Sequence, residues 1–174
     1  MPNLSRRSLI LGSAALAACA RVPASPSGNP PPLTLEEAFV GRLRGRGVFR
    51  VDLTGDERRF TADLDGTLSG DQLRVVEDFT YDDGQQDRLT WVFDRAGPGR
   101  WTGRREDTVG LAEVTELGTE IRLTYTADFT SPSGVTRLDF ADVLYRDGER
   151  IVNDAVVRRW GLPVARVRFE MMRA

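Results

Sequence analysis

Gly41-Arg42-Leu43-Arg44-Gly45-Arg46-Gly47-Val48-Phe49-Arg50-Val51-Asp52-Leu53 alternates along its length. In an extended chain Leu43, Gly45, Gly47, Phe49, Val51 and Leu53 share one face, and Arg42, Arg44, Arg46, Arg50 and Asp52 the other. A period of two belongs to a strand, and a single dry face belongs to an antiparallel sheet that covers a core on one side.

The same period returns down the chain. Phe60, Ala62 and Leu64 share a face; so do Leu73, Val75, Phe79 and Tyr81; so do Leu89, Trp91 and Phe93. Ile121, Leu123, Tyr125, Ala127 and Phe129 repeat it, and Ala165, Val167, Phe169 and Met171 close the series. Breaks separate these runs: Thr54-Gly55-Asp56, Ser69-Gly70-Asp71, Asp82-Asp83-Gly84, Gly97-Pro98-Gly99, a polar break at Arg105-Glu106, Leu117-Gly118, Ser131-Pro132-Ser133-Gly134, Asp147-Gly148 and Gly161-Leu162-Pro163. Gly, Pro and Asp supply the backbone angles of tight turns. The breaks delimit about ten strands, and no long helical pattern interrupts them, which excludes parallel crossovers. Sequential antiparallel strands with one dry face must close on themselves or stack as two sheets. The pattern therefore predicts an all-β fold, a single up-and-down antiparallel β-barrel of about ten strands and lipocalin-like type, with a β-sandwich as the alternative. Frequent charges on the wet faces argue against a transmembrane barrel. Ahead of the first strand, Thr34 and Glu37 have the spacing of a capping box, which predicts a short N-terminal helix of one or two turns over Leu33–Phe39.

The first 32 residues carry a different message. Arg6-Arg7 precede an apolar run from Leu9 to Leu16, and Leu16-Ala17-Ala18-Cys19 follows. A charged start, a short apolar stretch and small residues before a cleavage point form an export signal, and the run is too short to span a bilayer. Leu-Ala-Ala-Cys resembles the lipobox of bacterial lipoproteins, in which the Cys is acylated and becomes the first mature residue. Arg6-Arg7 resembles a twin-arginine signal; paired arginines also occur in ordinary secretory signals. The expected organisation is a signal peptide over 1–18, a lipidated Cys19 with a linker to residue 32, and a barrel domain over 33–174. Five of the thirteen linker residues are Pro, which makes it a semi-stiff spacer. Membrane attachment through Cys19 places the protein in the bacterial envelope. Because Ala20 is not an Asp of the inner-membrane retention type, the periplasmic face of the outer membrane is expected.

Composition narrows the chemistry. All 24 basic residues are Arg, and His is absent, which removes the usual general base and the commonest metal ligand. The one Cys is committed to lipid, so no thiol nucleophile, disulfide or Cys metal site is left. Without Arg6 and Arg7 the mature part carries 22 Arg against 26 acids, a poor balance for nucleic acid. No cofactor, metal or catalytic residue is expected.

Four stretches carry a resemblance: Phe39-Val40-Gly41-Arg42-Leu43-Arg44-Gly45-Arg46-Gly47, Glu77-Asp78-Phe79-Thr80-Tyr81-Asp82-Asp83-Gly84, Arg100-Trp101-Thr102-Gly103 with Asp107-Thr108-Val109-Gly110, and Leu138-Asp139-Phe140-Ala141-Asp142. Together they resemble the DUF3833 family of bacterial lipoproteins, over about Phe39 to Arg173. One departure is Val143, where a Trp is expected after Asp142. The resemblance implies a calycin-type barrel and, through neighbouring genes of fatty-acyl modification, a lipid context. It implies no reaction.

A barrel of this size can enclose one small apolar ligand. The informative residues are polar ones on dry faces: Glu77 between Val75 and Phe79, Asp142 between Phe140 and Leu144, and Asn153 between Ile151 and Ala155. A buried carboxylate must be paired, hydrogen-bonded or neutral. Two readings follow. In one, Glu77 or Asp142 pairs with an inward Arg such as Arg137, and the dry-face aromatics are plain core. In the other, Glu77, Asp142 and Asn153 orient a ligand's polar end while Phe49, Trp91, Tyr125 and Phe129 line the cavity. The arginines of the first strand face Asp63 and Asp65 of the next, which suits a solvated ion-pair surface. The expected function is a lipid-anchored barrel that binds or carries a lipid, fatty acyl chain or other small apolar molecule, and not an enzyme. The alternatives are an envelope-assembly lipoprotein with a filled barrel, and a carboxylate-dependent enzyme acting on lipid.

Overall fold

The computed structural model describes residues 23, 25, 26, 28, 30–131 and 134–174. Cys19, the twin arginines and the signal-like run lie outside the described residues. Ten strands follow one short helix: α1 (Leu35–Phe39), β1 (Gly41–Val51), β2 (Glu57–Ser69), β3 (Gln72–Tyr81), β4 (Gln86–Gly97), β5 (Arg100–Arg104), β6 (Ala112–Glu116), β7 (Glu120–Ser131), β8 (Gly134–Asp147), β9 (Arg150–Arg159) and β10 (Leu162–Arg173). Each strand pairs antiparallel with its sequence neighbour, and β1 pairs with β10, so the sheet is a closed barrel. Closure leaves no free edge, which settles the choice between barrel and sandwich.

Odd-numbered positions from Leu43 to Phe49 turn inward, as the alternation predicts. Leu53 does not: β1 ends at Val51, and Leu53 stands 94% exposed in the turn that follows. Three inward glycines make room for rings. A Cβ at Gly45 would lie 2.4 Å from the Phe169 ring, one at Gly47 2.3 Å from Phe60, and one at Gly103 2.6 Å from Phe93. These glycines let a ring from the adjacent strand lie over each of them on the inner face. The outward arginine of β1 at position 44 pairs with Asp63 at 2.8 Å, on the expected solvated face. Both faces of β8 and β9 are dry, however: Ala141, Val143, Val152 and Val156 point outward and are still buried.

The two ends of the barrel differ. At the end where β1 begins, α1 is a plug. Its capping box is formed, with Glu37 N donating to Thr34 Oγ1 at 3.2 Å and Thr34 N to Glu37 Oε2 at 3.0 Å. Leu33, Leu35, Ala38 and Phe39 are buried against Leu43, Leu64, Phe93, Trp101, Ile121 and Met171. Glu116 ties the plug down, accepting from Leu35 N at 2.8 Å and from Trp101 Nε1 at 3.0 Å. Arg173 donates to the carbonyls of Glu37 and Val40, beside the helix C-terminus. Packing there is solid. The opposite end carries the β1–β2, β3–β4, β7–β8 and β9–β10 turns and the 105–111 loop, and among the described residues no helix covers it. Among the described residues no helix is long and apolar enough to cross a membrane.

Candidate functional site

Between the packed end and the open end lies a polar layer. Glu77 comes from β3, Asp142 from β8 and Asn153 from β9; the two acids are 6% and 5% exposed. Each is inward because alternation puts it on the face of its apolar neighbours: Glu77 is opposed by Leu64 and Leu89, and Asp142 by Leu123 and Ala155. The expected inward partner, Arg137, is not there. It lies on the outer wall, bonded to Asp128 at 2.8 Å through both nitrogens.

The buried cation is Arg105, which sequence reading assigned to a turn. Trp101, Gly103 and Arg105 continue one parity past the end of β5, and both Trp101 and Gly103 are inward. Two dry-face acids without an inward base were the other available signal. Arg105 spends its fork on Asp107, with Nε–Oδ1 at 2.7 Å and Nη2–Oδ2 at 2.9 Å. Its remaining nitrogen stands 3.7 Å from Glu77 Oε2, a charge contact but too long for a hydrogen bond. The guanidinium lies 4.8 Å from the Trp91 ring centre and 5.4 Å from that of Tyr125. Trp91 and Tyr125 meet edge-on at 5.1 Å, and Tyr125 stacks on Phe140 at 4.7 Å. Asn153 Nδ2 donates to Asp142 Oδ2 at 2.9 Å.

The layer is short of donors. Glu77 Oε2, Asp142 Oδ1 and Asn153 Oδ1 are buried and accept no hydrogen bond among the described residues. Burial pushes Glu77 from 4.5 up to about 7; Arg105 opposes the rise, while Asp107, Asp142 and Glu106 add to it. Burial likewise raises Asp142 to about 7, against the Asn153 hydrogen bond and the Arg105 charge. Arg105 cannot neutralise both acids because Asp107 already holds its fork. Burial also works against the charge of Arg105, but the Asp107 hydrogen bonds and the charges of Asp107 and Glu77 outweigh it and keep the guanidinium charged. Burial raises the Tyr125 phenol as well, so it stays a neutral O–H. Two carboxyl groups that titrate near neutrality can hold or release protons in this layer. Among the described residues no group of three His, Cys, Asp or Glu is placed to hold a metal ion.

The four aromatic residues expected to line a cavity separate. Trp91 and Tyr125 stand at the polar layer, Phe49 is half-buried nearer the open end, and Phe129 is half exposed at the rim. Phe60, Phe79, Tyr81 and Phe169 form the wall above the layer on the other side, with Phe60 5.6 Å from Phe79 and 5.3 Å from Phe169. Elsewhere, a groove of about 490 Å³ runs on the outer wall past Arg46, Val48, Arg59, Thr61 and Arg168. Its cations are engaged by Glu170, Glu57 and Asp154.

A model of the family described as "Protein of unknown function (DUF3833)" matches residues 13–173, nearly the whole chain. The chain belongs to the DUF3833 family. No curated protein matches this DUF3833 member in sequence. Among solved structures it is similar to the S-type phycobiliprotein lyase CPES of Guillardia theta, with a TM-score of 0.57 and 10% identity over 82% of this chain and 93% of that one. It is also similar to Rv2717c of M. tuberculosis, with a TM-score of 0.55 and 18% identity over 79% of this chain and 93% of that one. At such identities the likeness establishes a shared lipocalin-like barrel and not an activity.

Proposed function

We propose that this DUF3833 protein is a lipid-anchored envelope lipoprotein whose barrel holds a small amphipathic molecule. The polar end of the ligand rests on Glu77, Asp142 and Asn153, and its apolar part lies toward the open end among Phe79, Tyr125 and Phe140. The observation that carries this reading is the set of three buried oxygens without donors. Buried polar groups are nearly always hydrogen-bonded, and an exception calls for a cause. A hydroxyl or amine head supplies the missing N–H or O–H groups. A fatty-acid carboxylate would add a charge to a layer already rich in acids, so a neutral or cationic amphiphile fits better than a free fatty acid. The open end and the barrel shared with a phycobiliprotein lyase support a ligand-handling role.

Native mass spectrometry of protein purified from its own envelope tests this, paired with titration of tryptophan emission, since Trp91 lies in the layer. An added lipid mass, and an emission change with dodecylamine or monolaurin that laurate matches only weakly, are expected. A bare protein mass with no response to any of the three would leave a filled, structural barrel.

A second reading is favoured by one observation, the two carboxyl groups raised to about 7 in a single layer. Such groups suit general acid–base catalysis near neutral pH. Recovery of a chemically altered probe after incubation would select it, and recovery of unchanged probe would reject it.

A further inference from the structure

The apolar side chains left in water are not scattered evenly. Among the described residues, seven apolar side chains are half exposed or more; Leu117 lies in the β6–β7 turn at the plug end, and the other six, Leu53, Leu111, Phe129, Val135, Trp160 and Leu162, belong to the turns and strand ends on the side of the open end. Isolated exposed apolar residues are ordinary; six collected on one rim form a surface feature. They stand on neighbouring turns. Asp52 N donates to the Val164 carbonyl, which joins the Leu53 turn to the Trp160 turn. Val135 stands further out on the β7–β8 hairpin, opposite Thr130 and four residues beyond the last β8–β9 pair, Asp139 with Arg158, and Val109 N bonds the Thr126 carbonyl, which sets the 105–111 loop beside β7. The β3–β4 turn completes the circle with Asp82 and Asp83 and stays polar.

Trp160 shows the strongest departure from ordinary turn chemistry. It sits with Gly161 in the two-residue β9–β10 turn at φ 53, the only non-glycine residue at positive φ among those described. Such turns favour Asn-Gly, and a left-handed backbone is strained for a bulky residue. Burial does not offset that strain, since Trp160 is 84% exposed. Its neighbour Arg159 lies over the ring at 4.3 Å. An indole beside a guanidinium at an exposed tip is suited to the headgroup region of a bilayer, where one end of the side chain is apolar and the other wet.

We infer that the rim is a membrane-docking surface, which turns the open end of the barrel onto a phospholipid bilayer. The occupant is a lipid surface rather than a protein because the side chains project singly from separate turns and do not frame a groove. The tether agrees. Ser25 Oγ accepts from Arg122 Nη2 at 3.2 Å, which puts the linker on the outer wall of β7. From Arg122 the strand climbs about 20 Å to the rim, and the six residues from Cys19 to Ser25 span about 20 Å when extended. An acyl anchor at Cys19 can therefore lie in the same plane as the rim. This inference is independent of what the barrel binds.

The test uses the full chain reconstituted into phosphatidylethanolamine–phosphatidylglycerol vesicles that contain dibromo-phosphatidylcholine, a quencher within the acyl region. Wild type is compared with Trp160→Phe, so attachment through the N-terminal segment is common to both. The expected result is loss of the Trp160 share of emission in the wild type and little loss in Trp160→Phe, whose remaining Trp91 and Trp101 are buried. A second variant, Leu53→Asp with Leu162→Asp, should restore most of the lost emission while its circular dichroism stays that of the wild type. Unquenched Trp160 overturns the inference. So does equal quenching in Trp160→Phe, which would place the lipid inside the barrel, and so does a blue-shifted but unquenched Trp160, which would mean a protein contact.

Discussion

Glu77→Gln separates a buried acid under strain from a stabilising ion pair. Glu77 has an ordinary value of 4.5 and sits near 7 in the folded chain. Between those values the folded state binds more protons than the unfolded state, so stability falls as pH rises from about 4.5 to about 7 and stays lowered above that. Two and a half units correspond to about 3 kcal/mol at pH 8, an upper figure because water entering the layer would relieve part of it. Asp142 rises for the same reason, but the two carboxyl groups influence each other and their costs do not add. Gln copies the shape of the protonated acid. The variant should match wild type near pH 4.5 and exceed it by about 1–3 kcal/mol at pH 8, on the order of 3–10 °C in melting temperature for a domain of this size. Thermal melts monitored by circular dichroism from pH 4.5 to 8.5 give both curves. A variant less stable than wild type at pH 8 would refute the reasoning, because it would mean that the Arg105 contact at 3.7 Å outweighs desolvation and that Gln strands a buried guanidinium.

Three further perturbations address the anchor, the export route and the rim. Cys19→Ala should release the protein from membranes to the soluble fraction; full retention after a high-salt wash would place the anchor elsewhere. Arg6→Lys with Arg7→Lys should leave precursor in the cytoplasm, whereas normal processing would indicate the general secretory route. Trp160→Asn removes the strain of a bulky residue at positive φ and should raise stability by about 1 kcal/mol, measured by denaturant unfolding; a loss of stability would show that the Arg159 stacking matters more than the backbone.

The barrel was legible because alternation is a local signal. Leu73-Val75 on one strand and Ile121-Leu123 on another each declare an inward face without knowledge of the rest. The inward acids were legible on the same terms. Arg105 was not, because Arg104-Arg105-Glu106-Asp107 has the composition of a turn and only the parity from Trp101 and Gly103 marks it as inward. Phe129 and Leu53 failed in the opposite sense. Parity places them correctly, but whether a dry-face residue is covered depends on where the strand ends relative to the barrel, and turn residues fix that only to within a few positions. The outward dry face of β8 and β9 is likewise invisible to a rule that expects one wet side, since Ala141 and Val143 flanking Asp142 read as noise on the alternation.

The order of the three zones sets how a ligand must lie. Below the polar layer, Leu43, Leu73, Phe93, Trp101, Ile121 and Met171 fill the barrel down to α1, so nothing extends in that direction. A molecule whose head rests on Glu77 and Asp142 can send its tail only toward the rim. From Glu77 to the end of β3 at Tyr81 the wall rises about 10 Å. An alkylamine series read by tryptophan emission should therefore gain up to about 0.8 kcal/mol for each further methylene while the tail is inside, then level off once it reaches the rim. In bilayer-bound protein the gain should continue past that length, because a tail leaving a docked barrel enters lipid rather than water. A gain that continues without a break in the absence of vesicles would place the binding on the outer wall, where no rim limits the chain.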